Sequence, residues 1–149
     1  MALEPSEREA LIRRYEEGPR KLRAAYERIP AEARQWRPAE GKWSAHEVVC
    51  HAADSETVAA QRIRYLVAEP NPTIVGYDQA NWAKTFDYQA APLEPAMAAV
   101  AAVRANTAAL LRRLPEKAWS AEGTHTESGR YTADDWLKVY AEHLEKHSR

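Results

Sequence analysis

Apolar residues recur every three or four positions along most of this chain, which is the spacing of amphipathic helices. Four such stretches cover about residues 6–29, 44–68, 93–114 and 132–147, and segments rich in Pro, Gly and polar residues separate them. Side chains suited to a capping box stand at the start of three of them, namely Ser6 with Glu9, Ser44 with Glu47, and Thr132 with Asp135. The pattern predicts an all-α protein built from four helices.

The first predicted helix is interrupted by Gly18-Pro19. Proline has no backbone N–H group and its ring crowds the preceding turn. We therefore expect a kink or a split at this point.

Composition narrows the class of protein. The chain has 149 residues, enough for one domain over residues 1–149 with a substantial core. Its net charge is -1, and its basic residues are interleaved with acidic ones, which does not favour nucleic-acid binding. A single cysteine fits a reducing compartment, and neither a signal-like apolar region nor an 18-residue apolar run is visible. We expect a cytoplasmic protein that binds neither nucleic acid nor a membrane.

Two histidines stand on the inward face of the fourth helix. Trp136, Tyr140, His143 and His147 form one stripe at helical spacing. His143 and His147 are one turn apart, so both rings point the same way and are suited to binding one metal ion. Such a pair alone is a weak signal, because an ordinary polar histidine is the commoner explanation.

A third histidine, His51, decides how the helices should be wound. It lies two turns inside the second helix, whereas His143 and His147 lie near the end of the fourth. The three meet only if these helices are antiparallel, which requires a four-helix bundle of up-down-down-up winding with a long crossover between helices 2 and 3. Residues 69–91 supply that crossover, since an extended chain of about a dozen residues spans a helix of roughly 35 Å.

Three converging imidazoles predict a metal site with room for a ligand, as in catalytic centres, and zinc or nickel suits imidazole. Asp54, one turn after His51, is a candidate to orient a ring, to bind the metal or to act as a base, although a surface role is equally open. Within the crossover, Tyr77, Asp78 and Trp82 are candidates for the wall of a cofactor or substrate pocket. Trp36 and Trp43 are expected to plug the end of the bundle.

Several stretches of the sequence resemble the motifs of a known family. Residues 41–56, GKWSAHEVVCHAADSE, are similar to the W-[ST]-x-x-[EQ]-V-x-x-H-x-x-D-x-E block of the DinB/YfiT-like superfamily. Gly76-Tyr77-Asp78, Asn81-Trp82-Ala83 and the closing His143-x-x-x-His147 also match, in order. The resemblance implies the same up-down-down-up bundle, a nickel or zinc site on His51, His143 and His147, and frequent homodimers.

The resemblance also implies two kinds of chemistry. Members are often labelled metal-dependent hydrolases, and better understood relatives use the metal to present a small thiol cofactor, such as bacillithiol or mycothiol. Our first hypothesis is therefore a metal-dependent transferase that presents a low-molecular-weight thiol as thiolate to a small electrophile. The alternatives are a metal-dependent hydrolase of a small substrate and a metal-binding helical dimer without catalysis.

Overall fold

The computed structural model describes residues 3–147, which form six α-helices, two short 3-10 helices (Ala31–Ala33 and Glu116–Ser120) and three short strands. The helices are α1 (Pro5–Glu27), α2 (Ala45–Ala68), α3 (Gln79–Thr85), α4 (Leu93–Arg113), α5 (Ala133–Ala141) and α6 (His143–His147). The strands are β1 (Thr73–Ile74), β2 (Glu122–His125) and β3 (Gly129–Thr132). The four predicted helical stretches are therefore present, and the predicted all-α class needs a correction.

The correction is a small sheet that joins two connections. β1 lies within the predicted crossover and pairs in parallel with β2, which pairs antiparallel with β3. Threonine, tyrosine and isoleucine at these positions favour extended backbone, but the strands are too short to show the alternation that predicts a strand. The crossover is also not structureless, because α3 begins within it and Asp78 caps that helix by accepting from Asn81 N–H at 3.0 Å.

The start of α1 differs from the predicted capping box of Ser6 and Glu9. Pro5 occupies the first helical turn, where its missing N–H group costs nothing, so Glu4 becomes the cap residue. The Glu4 N–H group donates to the Glu7 carboxylate at 3.3 Å. The helix then continues through Pro19 without the predicted split.

The last predicted helix is instead divided into α5 and α6 at Glu142. Glu142 has φ -108° and ψ 5°, outside the helical range, and its N–H group bonds to the carbonyl of Tyr140. The predicted capping box of Thr132 and Asp135 is present at the start of α5.

Three apolar clusters hold the helices together, and the two larger ones lie between the long helices. The first lies between α1, α2, α4 and α5, and includes Tyr15, Ile63, Leu111 and Trp136. The second lies nearer the start of α2 and includes Leu22, Val49, Val100 and Leu144. α1 and α2 each pack against both α4 and the α5–α6 segment. None of the helices in residues 3–147 is long and apolar enough to cross a membrane.

Arg104 of α4 lies between these clusters and is fully buried. Its Nη1 donates to the Tyr15 carbonyl at 2.6 Å, and its Nη2 donates to the Tyr140 carbonyl at 2.9 Å. The first carbonyl has lost its usual helical donor, because residue 19 is proline. The second lies in the last turn of α5, where Arg104 is a donor in addition to the Glu142 N–H group. A guanidinium group therefore satisfies the backbone at both helix irregularities.

Gly18 allows α1 to approach this guanidinium group. A Cβ atom at position 18 would lie 2.9 Å from Arg104 Nη1 and 3.2 Å from Leu144 Cβ. Arg104 is held by hydrogen bonds on every side and cannot move aside at low cost. We expect Gly18→Ala to lower the free energy of unfolding by about 1–3 kcal/mol, although alanine has the higher helix propensity. Urea denaturation measures this change.

The neighbouring variant Glu17→Ala is a matched control, because residue 17 is exposed on the same helix. We expect it to change the free energy of unfolding by less than about 0.5 kcal/mol. A stabilised Gly18→Ala protein would show that the approach of α1 to Arg104 is loose.

Candidate metal centre

The three predicted histidines converge at one end of the helices. His51 comes from α2, and His143 and His147 come from α6. One ring nitrogen of each lies within 4.8 Å of the others. The Nε2 atoms of His143 and His147 are 3.3 Å apart, as expected for rings one helical turn apart. Both rings face α2, since their centroids lie 6.4 Å and 5.0 Å from the centroid of the His51 ring. Leu144, between them in sequence, is buried in the core and anchors α6.

His51 is the most enclosed of the three. Its side chain belongs to the buried face of α2 and is 2% exposed. The Trp43 ring packs on it, with ring centroids 4.8 Å apart, and shields it from solvent. Its Nδ1 atom is buried without a hydrogen-bond partner. A buried polar nitrogen that is left unpaired costs free energy, so this ring has a reason to bind a ligand.

Glu56 determines the tautomer of His143. Its Oε2 atom lies 3.2 Å from His143 Nδ1, and both of its oxygens accept hydrogen bonds from Arg104, at 2.7 and 2.8 Å. A carboxylate held by a guanidinium group can only accept, so His143 Nδ1 carries the proton and donates it. The Nε2 atom is the nitrogen that lies toward His147, 3.3 Å from its Nε2. A carboxylate behind a histidine is the usual way in which proteins orient a metal ligand.

The pKa values of this cluster favour neutral rings beside a charged carboxylate. Burial, with the neighbouring histidines, lowers the pKa of His51 to about 4. Burial and His143 lower the pKa of His147 to about 4 as well. Burial alone would raise the pKa of Glu56, but hydrogen bonds from His143 and Arg104 outweigh it and hold that pKa below its ordinary value.

The donor set fits a divalent metal ion. His51 and His147 are neutral at pH 7, as metal binding requires, and three imidazoles form the set that suits zinc and nickel. Three protein ligands leave at least one coordination position for a small molecule. His51, His143 and His147 are therefore the residues that would hold the ion.

Asp54 contacts a tyrosine rather than a histidine ring. Its Oδ2 atom accepts from the Tyr88 hydroxyl at 2.7 Å, whereas the contact with a histidine ring belongs to Glu56. Asp54 is one turn from His51 along the helix, but Glu56 points between α4 and α6. The orienting role that the sequence indicated for Asp54 is therefore taken by Glu56 for His143, and a role as base stays a prediction.

Tyr77, Asp78 and Trp82, the residues predicted to form a pocket wall, lie in and before α3. The rings of Tyr77 and Trp82 pack on each other at 4.2 Å between centroids, and Asp78 is exposed at the start of α3. Their role in binding a cofactor stays a prediction. Trp43 packs over the site, as expected of a plug at this end, but Trp36 is 64% exposed and plugs nothing.

The sequence pattern did not predict that Glu56 contacts His143 or that Arg104 forms a buried ion pair with Glu56. Arg104 falls within the apolar stripe of its helix, which runs through Met97, Val100, Ala108 and Leu111. A charged residue in such a stripe indicates a buried ion pair, since an unpaired charge cannot be buried. Its partner belongs to α2, and only the packing of α2 on α4 identifies it.

Comparison with known proteins places the chain in a family. The sequence profile of the DinB superfamily matches residues 14–149. The chain belongs to the DinB superfamily. A relative from Oceanobacillus iheyensis is 32% identical over 107 residues, and YfiT from Bacillus subtilis is 25% identical over 147 residues. Both carry the name "Putative metal-dependent hydrolase".

A solved structure of this superfamily has the same fold. YfiT from Bacillus subtilis superposes with a TM-score of 0.91 at 25% identity, over 99% of this chain and 85% of that one. YfiT is described as a probable metal-dependent hydrolase with an unusual four-helix bundle topology. The present chain is thus a DinB-superfamily helical bundle similar to YfiT.

The alignments cover only part of the length of each relative. The alignment with the Oceanobacillus protein covers 72% of this chain and 62% of that protein. The alignment with YfiT covers 98% of this chain and 83% of YfiT. A relative from Geobacillus thermodenitrificans, 31% identical, is matched over 55% of its length. The chain therefore spans about half to four fifths of these relatives.

Glu56→Gln tests whether the carboxylate orients His143. The variant keeps the size of the side chain but removes the charge that holds the His143 proton on Nδ1. We expect the affinity for zinc to fall about tenfold to a hundredfold. The free energy of unfolding should fall by about 3 kcal/mol, because Arg104 loses its buried counter-charge. Zinc titration against a competing chelator, on protein shown to be folded by circular dichroism, gives the affinity.

Asp54→Asn is the matched control for this prediction. It makes the same change from acid to amide on the same helix, at a side chain that binds Tyr88 rather than a histidine. We expect its zinc affinity to stay within about threefold of the parent protein. Equal losses in the two variants would mean that Glu56 has no specific role.

The lowered histidine pKa values predict how stability depends on pH in chelator-treated protein. An unfolded chain protonates His51 and His147 below about pH 6.5, whereas the folded rings resist protonation until about pH 4. The stability is thus complete above pH 6.5 and is lost as the pH falls toward 4. Each ring should contribute on the order of 2–3 kcal/mol to the loss.

Denaturation curves at half-unit steps between pH 7 and pH 4 measure this loss. His51→Gln removes one titrating ring and should flatten the dependence by about half. Parallel curves for the parent and the variant would contradict the buried, neutral state of His51.

Proposed function

We propose that the protein is a metal-dependent transferase that presents a small thiol to an electrophile. The observation that supports this function best is the convergence of His51, His143 and His147, with ring nitrogens within 4.8 Å, at an enclosed end of the bundle. The names of the relatives support metal dependence, and the choice of thiol as nucleophile is the further step that we propose.

The three histidines, Glu56 and Trp43 have different roles at this site. When bound, a divalent zinc or nickel ion would supply positive charge that favours the ionised form of a thiol or water ligand. The three imidazoles would hold the ion without adding negative charge, which keeps its acidity high. Glu56 keeps the His143 proton on Nδ1, and Trp43 covers one side of His51 and excludes water from it.

The hydrogen bonds that hold the neighbouring carboxylates favour a thiol over water as the nucleophile. Glu56 is held by Arg104 and His143, and Asp54 is held by the Tyr88 hydroxyl. Hydrolysis normally uses a side chain that takes a proton from water and returns one to the leaving group. A thiol has an ordinary pKa of about 8.5, so it needs less help to ionise than water does.

Hydrolysis of a small substrate is the second candidate. The relatives' names favour it, and Asp54 is the residue that would act as base after release from Tyr88. A metal-binding bundle without catalysis is the third possibility, and it would bind the ion but neither thiol nor substrate.

We also propose the up-down-down-up winding and a homodimeric state. The winding is supported by the meeting of His51, near the start of α2, with the rings of α6 at the far end of the chain's last helical stretch. The homodimer rests on the family resemblance, and sedimentation equilibrium measures it.

Metal content is the first test of this proposal. Untagged protein should carry about one equivalent of zinc or nickel, or take it up on addition, as measured by mass spectrometry of the metal. His143→Ala should reduce the affinity by at least a hundredfold, because it removes one of three ligands. His46→Ala is the matched control, since His46 bonds to the Ala91 carbonyl and lies outside the cluster. A metal-free protein that takes up no ion would refute the proposal.

Thiol binding separates the first candidate from the second. Cobalt-loaded protein should develop a sulfur-to-metal charge-transfer band on addition of a small thiol such as cysteamine, because the thiolate enters the coordination sphere. His143→Ala should show no such band. Thiol-independent turnover of ester or amide substrates, with no thiol band, would favour the hydrolase instead.

A further inference from the structure

A second feature at the same end of the molecule is a cleft of about 520 Å³. It lies between the last turns of α1, the connection before α2 and the first turns of α2. Its walls are mostly apolar, and they include Leu22, Ala25, Tyr26, Ile29, Trp43 and His147. This volume is within the range of cavities that bind small molecules.

The cleft borders the histidine cluster at His147, whereas His51 and His143 do not line it. His147 belongs to both, since its ring lies among the candidate ligands and also lines the cleft. Trp43 also belongs to both, because it lines the cleft and packs on the His51 ring at 4.8 Å. A molecule with one end at the three histidines would therefore have its other end beside these walls.

The chemistry of the walls specifies what binds there. Among the described lining residues none is acidic, and the charged one is Arg28, which is exposed. Tyr26, Trp36 and Trp43 supply aromatic rings, and the aliphatic side chains of α1 and α2 complete the surface. The Arg34 guanidinium lies over the Tyr26 ring at 4.7 Å. Such walls bind an apolar ring by burial and stacking, and they disfavour a strongly polar group.

We propose that this cleft is the subsite for an apolar, ring-sized part of the substrate, whose reacting group lies at the histidine cluster. The proposal rests on the proposed function in taking the histidines as the reacting end. It places the subsite on the side of α1 and Trp43, away from Tyr77, Asp78 and Trp82, which do not line the cleft.

Two hydroxamates with the same metal-binding group test the subsite. Acetohydroxamate carries a methyl group, and benzohydroxamate carries a phenyl ring that can enter the cleft. With cobalt-loaded protein, we expect benzohydroxamate to bind about tenfold to a hundredfold more tightly, as burial of a ring predicts. The visible spectrum of the cobalt ion gives both dissociation constants.

Adjacent alanines on α1 supply the variant and its control. Ala25 lines the cleft, whereas Ala24 is exposed on the same helix. Ala25→Leu should narrow the cleft and remove most of the preference for benzohydroxamate, and Ala24→Leu should keep it. Equal affinities for the two hydroxamates in the parent protein, or a preference that survives in Ala25→Leu, would overturn the proposal.

A metal-free measurement separates this proposal from the proposed function. In chelator-treated protein, 2-naphthol should shift the indole N–H resonances of Trp36 and Trp43, and Ala25→Leu should abolish the shifts. Naphthol binding without any uptake of metal would refute the proposed function and leave the apolar cleft. Metal uptake without naphthol binding would refute the subsite alone. Naphthol affinity that falls as the protein concentration rises would show that a second copy of the chain fills the cleft, and would overturn the subsite.

Discussion

The buried ion pair of Arg104 and Glu56 is the interaction on which the rest of the structure depends. Both side chains are 0% exposed, so each charge would be costly without the other. Arg104 also bonds to the carbonyls of Tyr15 and Tyr140. One side chain thereby joins α1, α2, α4 and α5, and it contacts α1 and α5 at the points where their helical hydrogen-bond ladders are interrupted.

The same pair connects the core to the candidate metal centre. Glu56 accepts from Arg104 on one side and from His143 on the other, so the position of α4 determines the orientation of a ligand on α6. A network of this kind is favourable only when all its members are satisfied. The substitution of Arg104 or Glu56 should therefore affect stability and metal affinity together.

Local patterns in the sequence predicted the helices and the three histidines, because helical spacing and ligand chemistry are both local. Gly18-Pro19 was recognised as an irregularity, but its outcome depended on a residue 85 positions later in the chain, Arg104, which accommodates the missing hydrogen bond. The division between α5 and α6 was missed for a similar reason. No proline or glycine marks residues 141–143, and a distant side chain makes the irregularity tolerable.

The shortness of α6 has a consequence for the energetics of ion binding. Within residues 3–147 α6 contributes five residues, and a helical segment this short has little stability of its own in water. Its order depends on Leu144 in the core and on ion pairs from Glu145 to Arg14 and Lys21. Two of the three candidate ligands thus belong to a unit that can open locally without global unfolding. An ion bridging α2 and α6 would close that unit, and part of its binding free energy would appear as slower amide hydrogen exchange at this end of the protein.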